Sequence, residues 1–341
     1  MYEYLFNKEI VRLAIVLGVV VSALIYQRTG LTLGGVIVPG YLALFVPRPT
    51  HIIITLTTAT LAYYIVHHLL TRRYVIYGRR LFEVEILTAL LLQSVWSALM
   101  LALGQWGPEL SLFIGIGFIL PGVLAHDMGR QGLQSTLSST LLGMLIVFLI
   151  ILPIAAIQEH LQTINSLTPS PLLRSQPPPY GYPVGWAPLG IIASVLSGMW
   201  IFHKFSLRTG GFVTAAYLAL FAYRPLDLLF VAACSAITYL LVTRVAMQVA
   251  MIFGRIKLGT MVLTGVVLAW SLEILVISQS QGRFAPWSGF TVIMPMVVAL
   301  LANDSERQGL WRTWAGAGLS AGMVWLIVHG LMLTWEFLQP M

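Results

Sequence analysis

The side chains best suited to chemistry in this sequence are its arginines. Sixteen of the 19 basic residues are Arg, and only Lys8, Lys204 and Lys257 are Lys. A guanidinium presents a planar fork of donors that matches a carboxylate or phosphate in two-point fashion. Eight arginines recur in four kinds of place. Arg28 and Arg208 stand in Arg-Thr-Gly before a short apolar stretch, and Arg48 and Arg224 follow that stretch, each before Pro. Arg79 and Arg255 follow Gly, and Arg130 and Arg307 open Arg-Gln-Gly-Leu. Arg28, Arg48, Arg208 and Arg224 bracket a broken segment and are the candidates for holding an anionic group. Arg79, Arg130, Arg255 and Arg307 are secondary, since a loop charge that fixes membrane orientation explains them as well. Glu273 joins the secondary candidates: it lies in Leu-Ala-Trp-Ser-Leu-Glu-Ile-Leu-Val, where an ionised carboxylate is costly unless it is paired, wetted or near the interface.

Other chemistry is thinly supported. His67-His68 are adjacent and point to different faces of a helix, so no metal site is expected there. His126-Asp127 offers an acid–base pair, but the second half has Asn303-Asp304, which confines any such role to the first. His329 suits packing. The lone Cys234 excludes an intrachain disulfide and reads as a small buried hydrophobe. No phosphate-cradling loop ending in Lys-Ser/Thr and no dinucleotide fingerprint occurs, so no nucleotide cofactor is expected and no catalytic residue is nominated.

The elements that must position these residues are membrane helices. The 341 residues are 58% apolar and 9% charged, against about 25% charged in a soluble domain. This excludes a soluble enzyme and a disordered chain. The expected class is all-α, a polytopic transmembrane bundle. Twelve apolar segments are expected, at 10–26, 31–47, 51–70, 84–103, 110–126, 135–157, 184–202, 210–223, 226–243, 258–278, 288–302 and 313–333. A span needs roughly 20 residues. Segments 31–47 and 210–223 are short, and the first holds Gly34, Gly35, Pro39 and Gly40, the mark of a broken helix or a re-entrant loop. Segment 110–126 is also interrupted, by Gly115, Gly117, Pro121 and Gly122. The first segment is expected to remain as a span rather than leave as a signal peptide. Gly318 and Gly322 suit close helix packing.

The halves are repeats. From Gly34-Gly35, matched by Gly210-Gly211, an offset of 176 holds through Tyr41-Leu-Ala-Leu-Phe45 and Gly78-Arg79, with 14 identities in the 46 residues 34–79. Three regions follow: a first transmembrane repeat at 1–157, a Pro-rich connector at 158–183 and a diverged second repeat at 184–341. Six crossings per half would place 13 of the 19 basic residues on the inner side and make the repeats parallel. Five would give inverted repeats and a weaker bias of 11, so the positive-inside rule favours six.

The blocks Arg28-Thr-Gly, Gly35-Val-Ile-Val-Pro-Gly-Tyr-Leu-Ala-Leu44, Tyr77-Gly-Arg-Arg80, Gly115-Ile-Gly-Phe-Ile-Leu-Pro-Gly-Val-Leu-Ala125 and Arg130-Gln-Gly-Leu133 resemble the PgsC/CapC family. These are small membrane subunits of bacterial poly-γ-glutamate synthases. The resemblance implies an accessory subunit in the inner membrane, working with a PgsB/CapB-like ATP-dependent amide ligase and a PgsA/CapA-like subunit to make and export an anionic capsule polymer. The ligase would then carry the ATP chemistry. Nucleic acid is not an expected partner. Two departures stand out: family members are typically about half this length, and in the second copy Pro39-Gly40 becomes Ala215-Ala216 and Pro121-Gly122 becomes Pro295-Met296. A stand-alone secondary transporter of a small anionic metabolite, or a purely structural anchor for the ligase, are the alternatives.

Overall fold

The computed structural model describes residues 6–103, 116–165, 180–249, 252, 254–281, 284–287, 290 and 293–338. The start of segment 110–126 and the Pro-rich part of the connector lie outside them. Among the described residues the chain forms 12 helices and no strand. It divides into two compact units, Met1–Thr168 and Pro169–Met341.

In the first unit the helices are α1 (Lys8–Thr29), α2 (Val38–Leu44), α3 (Pro49–Arg73), α4 (Arg79–Leu103), α5 (Leu120–Gln131) and α6 (Leu133–Asn165). The second unit repeats them as α7 (Ala187–Phe205), α8 (Thr214–Leu220), α9 (Pro225–Val249), α10 (Gly254–Gln279), α11 (Ile293–Gln308) and α12 (Leu310–Leu338). Eight of these are long and apolar enough to cross a membrane, four in each unit. Their outward faces carry Leu24, Ile53, Leu61, Leu91, Val95, Leu142 and Leu149, all exposed. Such a surface fits lipid rather than water.

The other four helices are too short to span, and each belongs to a broken pass. The sequence marked 31–47 and 210–223 as short or broken and 110–126 as interrupted; among the described residues helix begins only at Leu120 in the third of these, and 288–302 has its helix from Ile293. In the first unit, Thr32 is tied to Gln131 at the end where α5 stops, and the chain then runs unwound past Gly34 and Gly35 to α2. The return is made by α3, whose His67 touches Gly129, two residues from Gln131. Pro49 and His67 are 18 residues apart, about 27 Å of helix. The unwound stretch plus α2 therefore crosses from one end of the unit to the other and is not re-entrant. Each unit makes six passes, two of them part-helical. The end carrying Arg28, Arg72, Arg73, Arg79, Arg80 and Arg130 is called the basic end below.

The backbone shows the duplication more sharply than the sequence does. Positive φ recurs at Gly34 and Gly210 (72° and 77°), Gly78 and Gly254 (both 61°), and Gly132 and Gly309 (both 91°). A π-helical turn interrupts α3 at Ile65–Leu70 and α9 at Val242–Ala246. At the other end of the chain's first half, α6 continues to Asn165, and in the second unit Gly181 N–H donates to Leu220 O at 2.7 Å while Tyr182 Oη donates to Ala216 O at 2.9 Å.

Between lipid-facing helices no water is expelled, so close packing supplies the attraction. Gly18 of α1 meets Gly40 of α2 so closely that a Cβ on Gly18 would stand 2.5 Å from Gly40 N. Gly18→Leu is expected to destabilise the first unit by about 1–3 kcal/mol through overpacking, read as a lower unfolding temperature in detergent. Ser194→Leu, at the matching position of α7, tests whether the tolerance differs between units.

Candidate functional site

The basic end of the first unit gathers polar side chains from four helices. The arrangement begins with α5, a 12-residue helix that carries His126, Asp127, Arg130 and Gln131. Helical periodicity sends these to two faces. Gln131 turns toward the unwound segment: Thr32 N–H donates to its Oε1 at 2.8 Å, and its Nε2 donates to Thr32 O at 2.5 Å and Thr136 Oγ1 at 3.0 Å. One side-chain amide thus replaces the backbone partners that Thr32 gives up by leaving the helix. Leu124 fills the space above Gly34, where any side chain would collide.

The opposite face of α5 meets α3 and α4. Here Glu85 is fully buried, and each carboxylate oxygen is held by an imidazole: His67 Nε2 lies 2.7 Å from Oε1 and His126 Nδ1 lies 2.6 Å from Oε2. His67 sits in the π-helical turn of α3, a feature often found at functional positions. Gly129 leaves room for its ring, since a Cβ there would stand 2.2 Å from Nε2. Tyr63 and Phe82 cover the two imidazoles, with ring centroids 5.0 and 4.6 Å away. A buried carboxylate between two bases can share protons with both. Among the described residues no cluster of His, Cys, Asp and Glu has the arrangement of a metal site.

The second unit keeps the first half of this design and discards the other. Arg208 N–H donates to Gln308 Oε1 at 2.9 Å, and Gln308 Nε2 donates to Arg208 O at 2.8 Å and Thr313 Oγ1 at 3.0 Å. Asp304 accepts from Gly210 N–H at 3.1 Å and lies 3.7 Å from Arg208 Nη1. The places of His67, Glu85 and His126, however, are taken by Thr243, Met261 and Asn303, and Val242, Met261 and Ala302 pack there as an apolar cluster. Lys257 and Glu306 form an ion pair nearby.

The structure revises two correspondences. Gln131 and Gln308 pair Arg208 with Thr32, not with Arg28. Helix α1 closes on Gly30 and α7 on Ser206, both left-handed, which aligns Arg28 with Lys204. The shared Arg-Thr-Gly is therefore displaced by one helical turn. In the fifth pass, the register set by Arg130 and Arg307 pairs Gly122 with Ala299 rather than Met296. Gly122 lies against the backbone of Ile86, whereas Ala299 packs on Gly265 of α10.

The four leading arginines do not share one site. Arg28 and Arg208 lie at the ends of their units that carry the Gln clamps, and Arg48 and Arg224 at the opposite ends. Arg28, Arg48, Arg130 and Arg307 are exposed. Arg79 donates through Nε to Glu83 at 2.8 Å. The side chain of Arg255 lies outside the described residues. Arg224 is 3% exposed, stacked 3.9 Å from the Tyr180 ring centroid and 3.9 Å from Asp227 Oδ2. Asp227 accepts from Trp287 N–H at 2.9 Å, and the Trp287 indole donates to Glu273 at 3.1 Å. Glu273 and Arg224 thus belong to one buried network that ties α9, α10 and the segment before α11. His329 stacks on Trp325, a packing role as expected.

Glu85 escaped the reading of the sequence. It opens the apolar segment 84–103 and looks like an end charge. A signal was present: three residues distant in sequence, His67, Glu85 and His126, are all replaced in the second copy.

Two tandem six-pass units, each with a Gln-clamped broken second pass, define a duplicated polytopic membrane protein. The profile of the family described as "Capsule biosynthesis CapC" matches residues 17–137 and again 193–314. The chain belongs to this CapC family, in a tandem form. It is 36% identical over 130 residues to "PGA biosynthesis protein CapC" of Bacillus subtilis (strain 168), covering 38% of this chain and 85% of the relative. It is likewise 36% identical over 130 residues to "Capsule biosynthesis protein CapC" of Bacillus anthracis, with the same coverage. No solved structure matches.

Proposed function

We propose that this chain is the integral membrane subunit of a bacterial system that makes and exports poly-γ-glutamate or a closely related polyanion. The observation that carries the reading is the double match to the CapC family, whose two relatives above are named for PGA and capsule biosynthesis. The chain lies in the cytoplasmic membrane, with the basic ends toward the cytoplasm as the positive-inside rule requires. An ATP-dependent amide ligase of the PgsB/CapB kind docks there and supplies activated chemistry, and a PgsA/CapA-like subunit completes the assembly. Each γ-linked residue of such a polymer keeps one free carboxylate. Exposed Arg28 and Arg48, and half-buried Arg208, hold these carboxylates weakly enough to release them as the polymer advances. Arg224 supports this path by packing, and Arg79, Arg130, Arg255 and Arg307 add to the charge that meets the ligase.

Deleting the gene in its host and assaying surface polymer tests the reading. Loss of polymer, restored by the gene in trans, is expected; unchanged polymer refutes it. In a complemented strain, Arg28→Gln with Arg48→Gln is expected to lower polymer yield several-fold at equal protein level. Unchanged yield would remove both residues from the path. Capture of the ligase by the tagged chain checks the partnership.

A further inference from the structure

The two units differ most where α3 and α4, or α9 and α10, run side by side. In the first unit these helices are antiparallel, and the levels at which they meet can be read from their contacts. His67 and Glu85 meet at the basic end. One level deeper, Ala62, Ala89 and Ala125 touch. A further turn along each helix brings Thr58 of α3 level with Gln93 of α4, and the next turn brings Thr55 level with Ser97. All four are buried, and Gln93 is 0% exposed. Thr55 Oγ1 donates to His51 O and accepts from Ile116 N–H, both at 2.7 Å. Neither amide atom of Gln93 has a hydrogen-bond partner among the described residues, nor has the hydroxyl of Ser97. An amide in a membrane interior costs several kcal/mol if it stays unpaired, so a side chain kept there marks a place for water or a passing ligand.

The second unit is an internal control. At the positions of Glu85, Gln93, Thr58 and Thr55 it has Met261, Ala269, Cys234 and Val231, all fully buried, while Ser97 gives way to Glu273, whose carboxylate is paired with the Trp287 indole. The same backbone, with the same glycine turns and the same Gln clamp, is held together there without an unpaired amide at the Gln93 level and without the His–Glu–His cluster. Those polar groups are thus no requirement of the fold.

We propose that the first repeat, and not the second, is a proton path: it binds a proton at the His67–Glu85–His126 cluster and exchanges it along a hydrated seam between α3 and α4 marked by Gln93, Thr58 and Ser97. The cluster has the connectivity of a relay. A proton arrives on Nε2 of His126; its Nδ1 proton passes to Glu85 Oε2. Glu85, which starts protonated on Oε1, gives that proton to His67 Nε2 as Oε2 takes the new one, and His67 releases the one on Nδ1. Only N–H and O–H bonds form and break, one proton enters and one leaves, and the steps run equally in reverse. The imidazoles are 21% and 23% exposed, so both rings reach the surface of the basic end while the carboxylate stays dry. The layer between the cluster and the Gln93 level is built on Ala62, Ala89 and Ala125, with Tyr63 and Leu92 packed at its sides. The charged and titratable groups on the packed elements, besides Glu85, are His51, Tyr63, Tyr64, His67, His68, Arg72 and Arg73 from α3, Arg79, Arg80 and Glu83 from α4, and His126, Asp127 and Arg130 from α5. Of these only the imidazoles of His67 and His126 hold the Glu85 oxygens.

The full chain in liposomes loaded with a pH-sensitive dye tests this, with a membrane potential imposed by potassium and valinomycin. Wild type is expected to acidify the lumen several-fold faster than empty liposomes. Glu85→Gln and Gln93→Leu should each fall to within about two-fold of empty liposomes, while Met261→Leu should keep the wild-type rate. Gln93→Leu lies away from the cluster, so it tests the seam even if Glu85→Gln disturbs folding. A wild-type rate equal to that of empty liposomes, or wild-type rates in both variants, overturns the proposal. No polymer or ligase is present in this assay, so its failure leaves the proposed function standing, and loss of polymer on gene deletion does not depend on it.

Discussion

Gln131→Leu is expected to destabilise the first unit by about 2–4 kcal/mol, because it strands the N–H of Thr32 in a buried setting and removes one of the two donors to its C=O. Leu nearly preserves the volume, so the loss reports the clamp and not a cavity. The unwound stretch at Gly34 and Gly35 has no ladder of its own, and Ser139 Oγ, which donates to Thr32 O at 2.9 Å, would be its remaining tie. Hydrogen exchange at Thr32 should quicken and polymer output should fall at least ten-fold. Gln308→Leu breaks the three corresponding bonds in the second unit, where the fourth that Gln131 makes, from Thr32 Oγ1, has no counterpart in Arg208. It should match Gln131→Leu in stability loss, yet lower output only as far as it lowers protein level. Equal losses of output per molecule from the two variants would contradict the division of labour between the units.

Arg224→Ala is expected to cost about 3–5 kcal/mol, the range for removing one partner of a buried ion pair, with loss of the cation–π stack on Tyr180 included. Asp227 would keep its bond from Trp287 but lose its cationic neighbour. Arg48→Ala, at the matching but exposed place, should change stability by no more than about 0.5 kcal/mol. Its effect should appear in polymer yield. Denaturant unfolding of the two purified variants, beside yield normalised to protein level, separates the roles. If Arg48→Ala unfolds as readily as Arg224→Ala, the contrast drawn from burial is wrong.

Much of this architecture was legible because it follows from length and repetition. Apolar runs gave the long helices, and Gly34, Gly35, Gly210 and Gly211 marked the broken second pass, since only glycine takes those backbone angles without strain. The fifth pass was harder to read. In the first unit Gly117, Pro121 and Gly122 announced a break, but in the second a single Pro295 lies near the start of a 16-residue helix. The pairing of Arg28 with Arg208 misled because the same tripeptide occurs one turn apart in the two copies. Only the hydrogen bonds from Gln131 and Gln308 identify the true partners. Glu85 was hidden for a different reason. A carboxylate at the edge of an apolar run resembles a solvated helix end, and the π-helical turn that carries His67 to meet it leaves no trace in local composition.

The lopsided replacement of the polar row has a consequence for how this chain can vary over time. At the matching positions of the second unit the sequence answers only for shape, so drift among Met261, Ala269, Cys234 and Val231 is limited to hydrophobes of similar bulk. In the first, His67, Glu85, His126 and Gln93 must change together or not at all. Sequences of other fused chains should therefore show two tempos within one gene, loose on one side of the connector and locked on the other. A single-unit relative, having no spare copy, should carry only the locked half.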